Sequence, residues 1–244
     1  MYQVSGSTIR TRYDQVRERI DAAARKAGRS PDAVRLVVVT KTHPLETVRA
    51  ALEAGIRDLG ENYAEEAVEK IQAVGAMDGL CWHMIGHVQS RKADLVARNF
   101  NFMHSLDSLK LANRLEHFAA EAGRTLPVLL ECNVGGEESK FGYPAFEPAQ
   151  WAALCAEARQ IAQLPHLEIR GLMTMPPLYD DAEKTRPFFR KLRELRDYLS
   201  QKVPQAKWDD LSMGTSADYL AAVEEGATLV RVGTAILGAR PPKG

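Results

Sequence analysis

The chain has little cysteine, no long hydrophobic run and no excess of charge of either sign. Its 244 residues include three cysteines, Cys81, Cys132 and Cys155. Their odd number and wide spacing fit neither a disulfide framework nor a zinc ribbon. No stretch approaches the ~18 apolar residues of a membrane-spanning helix, and residues 1–12 lack the apolar core of a signal peptide. We therefore expect a reduced, cytoplasmic protein with no membrane partner.

The charges of the chain balance. Lys and Arg number 32, and Asp and Glu also number 32, so the formal net charge is zero. A broad basic face is absent from such a chain, and we therefore predict no nucleic-acid partner. Apolar residues at 45% and charged residues at 26% are typical of a globular domain. A neutral surface permits a monomer or a weak dimer, and we favour the monomer.

Short β-type segments alternate with amphipathic helical segments, and an additional helical segment precedes them. The eight predicted strands are 35–41, 57–60, 82–85, 102–105, 128–134, 168–174, 210–213 and 229–232. This alternation, in a chain of this length, predicts an α/β protein built as one (β/α)8 TIM barrel domain over residues 1–244. An open, doubly wound sheet shows the same alternation and is the alternative.

Polar residues follow each predicted strand, where the functional groups of barrels lie. We expect one mouth of the barrel to collect Lys41, Glu61 and Asn62, His83 and His87, Ser105 and Asp107, Asn133, Met173 and Thr174, Ser212 and Ser216, and Arg231 with Gly233 and Thr234. His83 and His87 are spaced like a metal-binding pair. Zinc requires three or four ligands, so we predict no metal site.

Lys41 is the most informative of these residues. Val37, Val39 and Lys41 share one face of the first predicted strand because strand side chains alternate. If that face points into the barrel, burial lowers the pKa of the amine. A neutral amine is a nucleophile that forms a Schiff base with an aldehyde. A lysine that ends a strand and points to solvent is the alternative.

Two turns rich in Ser, Thr and Gly follow the seventh and eighth predicted strands, at residues 212–216 and 233–234. Barrels usually bind phosphate at these loops, although simple capping of a helix by Thr215 or Ser216 would use the same residues. Together with Lys41, the turns indicate a phosphorylated aldehyde, either pyridoxal 5′-phosphate (PLP) or a sugar phosphate. Arg231 favours PLP because a guanidinium can donate to the pyridine nitrogen. A surface ion pair of Arg231 with Glu224 or Glu225 is the alternative.

The chain resembles the PLP homeostasis protein family nearly end to end, and is similar to the N-terminal barrel of alanine racemase. The matching segments are LVVVTKTHP (36–44), GENY (60–63), WHMIGHVQSRK (82–92), HSLD (104–107), SKFG (139–142), GLMT (171–174), LSMG (211–214), SAD (216–218) and VRVGTAI (230–236). The resemblance implies that Lys41 carries PLP as an internal aldimine. It also implies that Asn62 and Met173 line the ring, that Ser212, Ser216, Gly233 and Thr234 hold the phosphate, and that Arg231 faces the pyridine nitrogen.

The resemblance implies a protein that binds PLP and stores or delivers it with little or no turnover, with apo PLP-dependent enzymes as candidate partners. We expect no second, β-rich domain of the kind that brings a tyrosine to the cofactor in alanine racemase. Two alternatives stay open, a PLP-dependent amino-acid racemase or lyase of low activity, and a phosphosugar aldolase that uses the same lysine.

Overall fold

A closed ring of eight parallel strands forms the centre of the molecule in the computed structural model, which describes residues 5–240. The strands are β1 (Arg35–Val39), β2 (Asp58–Glu61), β3 (Cys81–Met84), β4 (Phe102–Leu106), β5 (Leu126–Asn133), β6 (Tyr143–Pro144), β7 (Leu167–Met173), β8 (Asp210–Ser212) and β9 (Leu229–Val232). The ring closes where β4 pairs with β5 and β9 pairs with β1, and the two-residue β6 pairs with β5 outside it. The predicted TIM barrel is confirmed, and the open-sheet alternative is wrong.

Helices surround the ring. They are α1 (Gly6–Lys26), α2 (Leu45–Glu53), α3 (Ala64–Val74), α4 (Ala93–Asn99), α5 (Leu109–Glu121), α6 (Trp151–Ile161), α7 (Arg186–Lys202), α8 (Tyr219–Glu224) and α9 (Thr234–Leu237). The additional N-terminal helix is confirmed as α1. It buries Ile9, Val16 and Ile20 against the barrel helices, which removes that apolar stripe from water. Within residues 5–240, no helix has the length and apolar character needed to cross a bilayer.

The apolar core consists of a large outer layer and a small inner cluster. The outer layer lies between strands and helices and includes Leu36 and Val38 of β1. The inner cluster lies inside the ring and consists of Val37, Phe102, Leu129, Met173 and Leu229. Val37 therefore points inward, as the alternation along β1 requires if Lys41 is to face the barrel mouth.

Strand β7 contains a bulge at Arg170 and Gly171. Val128 of β5 pairs with Ile169, whereas the next residue, Leu129, pairs with Gly171, so β7 has one extra residue at this point. Ile169 and Leu172 both face the helix layer, and Met173 therefore faces the interior. Gly171 has φ 152°, and a Cβ atom there would lie 1.8 Å from the carbonyl oxygen of Asp210. The bulge thus sets the side of the sheet on which Met173 lies and admits no side chain at 171.

Candidate functional site

A cavity of about 760 Å³ opens at the carboxyl ends of the strands. Six of the eight residues predicted to bind the cofactor line it: Lys41, Asn62, Ser216, Arg231, Gly233 and Thr234. Other lining residues include Val39, Glu131, Phe141, Met175 and Arg240. The residues come from both ends of the sequence, and closure of the ring between β9 and β1 brings them together.

Lys41 is a half-buried amine without a polar partner among the described residues. Burial lowers the pKa of Lys41, and the nearby cations Arg240 and Arg231 lower it further, whereas Glu61 opposes the shift. Both effects increase the fraction of neutral amine, which is the nucleophilic form. Lys41 lines the cavity and is half-buried, so the alternative of a strand end that simply points to solvent is wrong.

The turn that carries Lys41 is held from outside the barrel by a buried ion pair. Lys70 of α3 donates to the carbonyl oxygen of Thr40 at 3.0 Å and to Glu61 Oε1 at 2.8 Å. Thr40 Oγ1 also donates to Glu61 Oε1, at 2.7 Å. Thr42 lies in the left-handed region at φ 61°, and its N–H donates to Glu66 Oε1 at 2.8 Å. These contacts hold a strained backbone residue next to the reactive lysine.

Glu61 was expected at the mouth, and that prediction is wrong. Gly60 faces the interior, where a Cβ atom would lie 3.0 Å from Val37 Cγ1, so the next residue faces the helices. Asn62 does reach the cavity, and its buried Oδ1 has no hydrogen-bond partner in the part of the chain that the structure describes. The close approach of the following loop requires Gly86, since a Cβ there would lie 2.4 Å from the carbonyl oxygen of Asn62.

The two turns after β8 and β9 direct unused backbone donors to the cavity. The N–H groups of Ser216, Ala217, Gly233 and Thr234 have no acceptor within residues 5–240, and all four residues line the cavity. Thr215 does not cap a helix with its hydroxyl. Its N–H and its Oγ1 donate to Asp218 Oδ1 at 2.7 and 3.1 Å, which fixes the shape of the turn. Such clusters of unpaired N–H groups bind anions, phosphate above all.

Arg231 lies between the barrel interior and the cavity. It is buried, its Nη1 donates to Ser212 Oγ, and its Nη2 donates to the carbonyl oxygen of Thr174 and to Met175 Sδ, both at 2.9 Å. A guanidinium has five N–H donors. Three of those of Arg231 have these acceptors, and Nε–H and one Nη1–H have none among the described residues. Burial lowers the pKa of Arg231 to about 10, so the group is still a cation at neutral pH.

The suggested ion pair of Arg231 with Glu224 or Glu225 does not form. Both carboxylates bind Arg186 instead, at 3.1 and 3.4 Å.

Two of the predicted binding residues lie behind the cavity lining. Ser212 is fully buried, and its Oγ accepts from Arg231 and lies 2.8 Å from His104 Nδ1. Met173 belongs to the inner apolar cluster below the cavity.

His83 was expected at the mouth but lies in the interior, bonded to Asp58 Oδ1 at 3.0 Å, so that prediction is wrong. It precedes the end of β3, and its side chain lies deeper in the ring than the sequence position suggested.

The comparisons with known proteins agree with this geometry. A model of the alanine racemase N-terminal domain matches residues 12–241. A pyridoxal phosphate homeostasis protein of Pasteurella multocida is 41% identical over 96% of this chain and 98% of its own length. One from Escherichia coli K12 is 41% identical over 93% of this chain and 94% of its own. The chain belongs to the pyridoxal phosphate homeostasis protein family.

A similar solved structure is that of PipY from Synechococcus elongatus PCC7942, which has PLP bound. It is 36% identical to this chain, with a TM-score of 0.81, and the match covers 94% of this chain and all of PipY. Both the barrel and the order of its elements are therefore those of the pyridoxal phosphate homeostasis protein family.

In this member of the pyridoxal phosphate homeostasis protein family, Glu131 is a cavity residue that the sequence pattern did not predict. The residue lines the cavity and is 8% exposed, and its buried Oε2 has no hydrogen-bond partner among the described residues. Burial and, to a lesser extent, the charge of Asp107 raise the pKa of Glu131 to about 7, against the opposing effects of Arg231 and Lys140. One signal was available. Glu131 interrupts the apolar run of β5 and lies two residues after the inward-facing Leu129, which places it on the interior face.

Glu131 predicts a specific pH dependence of stability. Between the ordinary value of 4.5 and about 7, the folded protein keeps this carboxyl protonated while the unfolded chain ionises it. Folding then binds a proton, so stability falls as the pH rises through this window, by about 3 kcal/mol in total. Glu131→Gln should match the wild type near pH 4.5 and exceed it in stability at pH 8. Urea unfolding at several pH values measures this difference, and parallel curves for the two proteins would contradict it.

Proposed function

We propose that this protein binds PLP in the cavity at the carboxyl ends of the strands and stores or delivers it with little or no turnover. One observation carries the proposal: a lysine without a polar partner among residues 5–240 shares a cavity with two turns whose N–H groups are also unpaired within that range. An aldehyde and a phosphate on one small molecule would use both features. The PLP-bound structure of PipY, a 36% identical relative, supports the same ligand.

The residues present fit this group. Lys41 would hold the aldehyde carbon covalently, and the N–H groups of Gly233 and Thr234, with the turn at Ser216, would hold the phosphate. Arg231 would donate to the pyridine nitrogen from a donor that the protein does not use. Asn62 would lie beside the ring, where its buried Oδ1 is available as an acceptor. Ser212 would act on the cofactor through Arg231, because its oxygen already accepts from that guanidinium.

The proposed partner of the ring nitrogen supports carriage rather than catalysis. Bound PLP supplies an aldehyde and an electron-withdrawing ring. A guanidinium can donate a hydrogen bond but does not readily give up its proton. Arg231 would therefore leave the ring nitrogen unprotonated, and an unprotonated ring is a poorer acceptor of electrons than one paired with a carboxylic acid.

The cellular role extends the same proposal. Apo PLP-dependent enzymes would receive the cofactor, and the protein would act as a monomer. A cytoplasmic location agrees with the free thiols of Cys81, Cys132 and Cys155.

The phosphate turns predict discrimination between PLP and pyridoxal, which lacks the phosphate. Several charge-assisted hydrogen bonds should favour PLP by about a hundredfold or more. Gly233→Val should weaken PLP binding by about tenfold and leave pyridoxal binding unchanged. A Cβ at this position lies 3.1 Å from the carbonyl oxygen of Val39, so the turn must shift. Absorbance titration with both ligands measures the effect, and Gly6→Ala in α1 is the control variant.

Equal affinity for PLP and pyridoxal would contradict the assignment of the phosphate turns. Turnover of any member of an amino-acid panel by the PLP-loaded protein would favour the racemase or lyase. A protein that takes up no PLP but cleaves a sugar phosphate would favour the aldolase.

A further inference from the structure

A chain of hydrogen-bonded polar side chains crosses the interior of the barrel. Beyond the bond between Arg231 and Ser212, Ser212 Oγ lies 2.8 Å from His104 Nδ1. His104 Nε2 lies 3.0 Å from His83 Nδ1, and His83 Nε2 lies 3.0 Å from Asp58 Oδ1. We refer to these five residues as the interior chain. It begins at the cavity and ends at the amino-terminal mouth of the barrel, where Asp58 is the first residue of β2.

The interior chain runs through surroundings that would otherwise be apolar. His83, His104 and Ser212 are fully buried, and Phe102 packs against both imidazoles. Barrel interiors are usually filled with branched aliphatic residues. Polar groups in such a place cost stability unless every hydrogen bond is made. Here each ring nitrogen of the two histidines has one partner, so the interior chain is complete.

The two ends of the interior chain determine its direction. A guanidinium can only donate, and an ionised carboxylate can only accept. Burial lowers the pKa of His83 and lowers that of His104 well below its ordinary value, so both imidazoles are neutral. Each neutral imidazole has one donor and one acceptor. All four bonds are then satisfied when Arg231 donates to Ser212, Ser212 to His104, His104 to His83, and His83 to Asp58.

We propose that Asp58, His83 and His104 are positioning residues that set, through Ser212, how Arg231 is presented to the bound cofactor. With both histidines protonated on Nε2, the Ser212 hydroxyl proton points to His104, and a lone pair of its oxygen is left for Arg231. The guanidinium is then held by Ser212 and Thr174, with Nε–H and one Nη1–H left for a ligand. This inference rests on the proposed function, because it concerns the group that would meet the pyridine nitrogen.

The first test measures the histidine tautomers in the PLP-free protein. Nitrogen-15 NMR of the imidazole rings distinguishes Nε2–H from Nδ1–H, and His83→Gln and His104→Gln would assign the signals. Exposed His117 provides the matched control variant, His117→Gln. We expect both buried rings in the Nε2–H form at neutral pH. An Nδ1–H or doubly protonated ring at either position would overturn the inference, and this readout requires neither PLP nor activity.

The second test changes the far end of the interior chain. In Asp58→Asn an amide can donate to His83 Nε2, which would reverse both tautomers and leave Ser212 as a double acceptor. We expect PLP binding to weaken by about three- to tenfold, with a shifted absorption band of the bound cofactor. The control is Asp210→Asn at the same mouth. Asp210 accepts from Thr228 at 3.1 Å and has no hydrogen bond to the interior chain, so this substitution changes the charge near His83 without changing a hydrogen bond of the interior chain.

The outcomes separate this inference from the proposed function. Equal effects of the two Asp→Asn substitutions on affinity and spectrum would overturn the positioning role while PLP binding stands. A wild-type protein that takes up no PLP would refute the proposed function itself. The expected tautomers, together with a spectral change confined to Asp58→Asn, would support the positioning role.

Discussion

Lys41→Ala is expected to abolish covalent retention of PLP. Wild-type protein incubated with PLP, treated with borohydride and digested should give a pyridoxyl adduct on the peptide that contains Lys41. The substitution removes the nucleophile and leaves the phosphate turns intact, because their N–H groups belong to residues in the turns after β8 and β9. Residual, non-covalent binding should be weaker by a factor of about a hundred or more. Mass spectrometry and the visible absorption band both measure the loss.

Lys110→Ala is the matched control, since Lys110 is an exposed lysine on α5 that does not line the cavity. It should retain colour and adduct at wild-type levels. An adduct on Lys41→Ala protein as abundant as on the wild type would refute the assignment of the reactive amine, whatever its position.

Lys70→Met is expected to cause the largest loss of stability. Lys70 and Glu61 form an ion pair in which the lysine side chain is 7% exposed and the carboxylate is fully buried. Breaking a buried pair by removing one partner typically costs 3–5 kcal/mol, because the remaining charge has no compensation. For a protein of this size, the melting temperature should fall by about 10 °C. Thermal unfolding followed by circular dichroism measures this change.

The pH dependence of stability and a second substitution test whether the unpaired charge of Glu61 causes the loss of stability in Lys70→Met. Burial raises the pKa of Glu61, and Lys70 opposes that shift, so the lone carboxyl in Lys70→Met should take up a proton more readily. The loss of stability should therefore be largest at high pH and diminish as the pH falls. Lys70→Met combined with Glu61→Leu removes both charges and should recover a large part of the loss. A double variant no more stable than Lys70→Met would indicate that packing, not charge, dominates.

Alternation along single strands made much of the site predictable. Val37 and Lys41 share a face of β1, and this parity needs only the local sequence. The placement of Arg231 two residues before Gly233, on the strand that pairs with β1, follows from the order of the barrel. Local periodicity and one topological rule were thus sufficient to bring both ends of the chain to one cavity.

Three features depended on information that local patterns lack. The side of the sheet on which Glu61 lies depends on where β2 begins, and that position differs by one residue from the prediction. The depth of His83 depends on partners from β2 and β4, Asp58 and His104, which are distant in the sequence. Glu131 was not recognised because its position two residues after Leu129 indicates the interior face only once Leu129 is known to point inward.

The bulge in β7 makes the number of residues in this strand as important as their identity. Deleting Arg170 would remove the extra residue and restore regular alternation, with Leu172 still facing the helices and Met173 still facing the barrel interior. Inserting one residue after Gly171 would instead turn Leu172 inward and Met173 toward the helices. Insertion and deletion scanning should therefore find β7 tolerant of the loss of Arg170 and intolerant of an insertion after Gly171. Gly171 should be intolerant of exchange as well, because no side chain fits between the two strands.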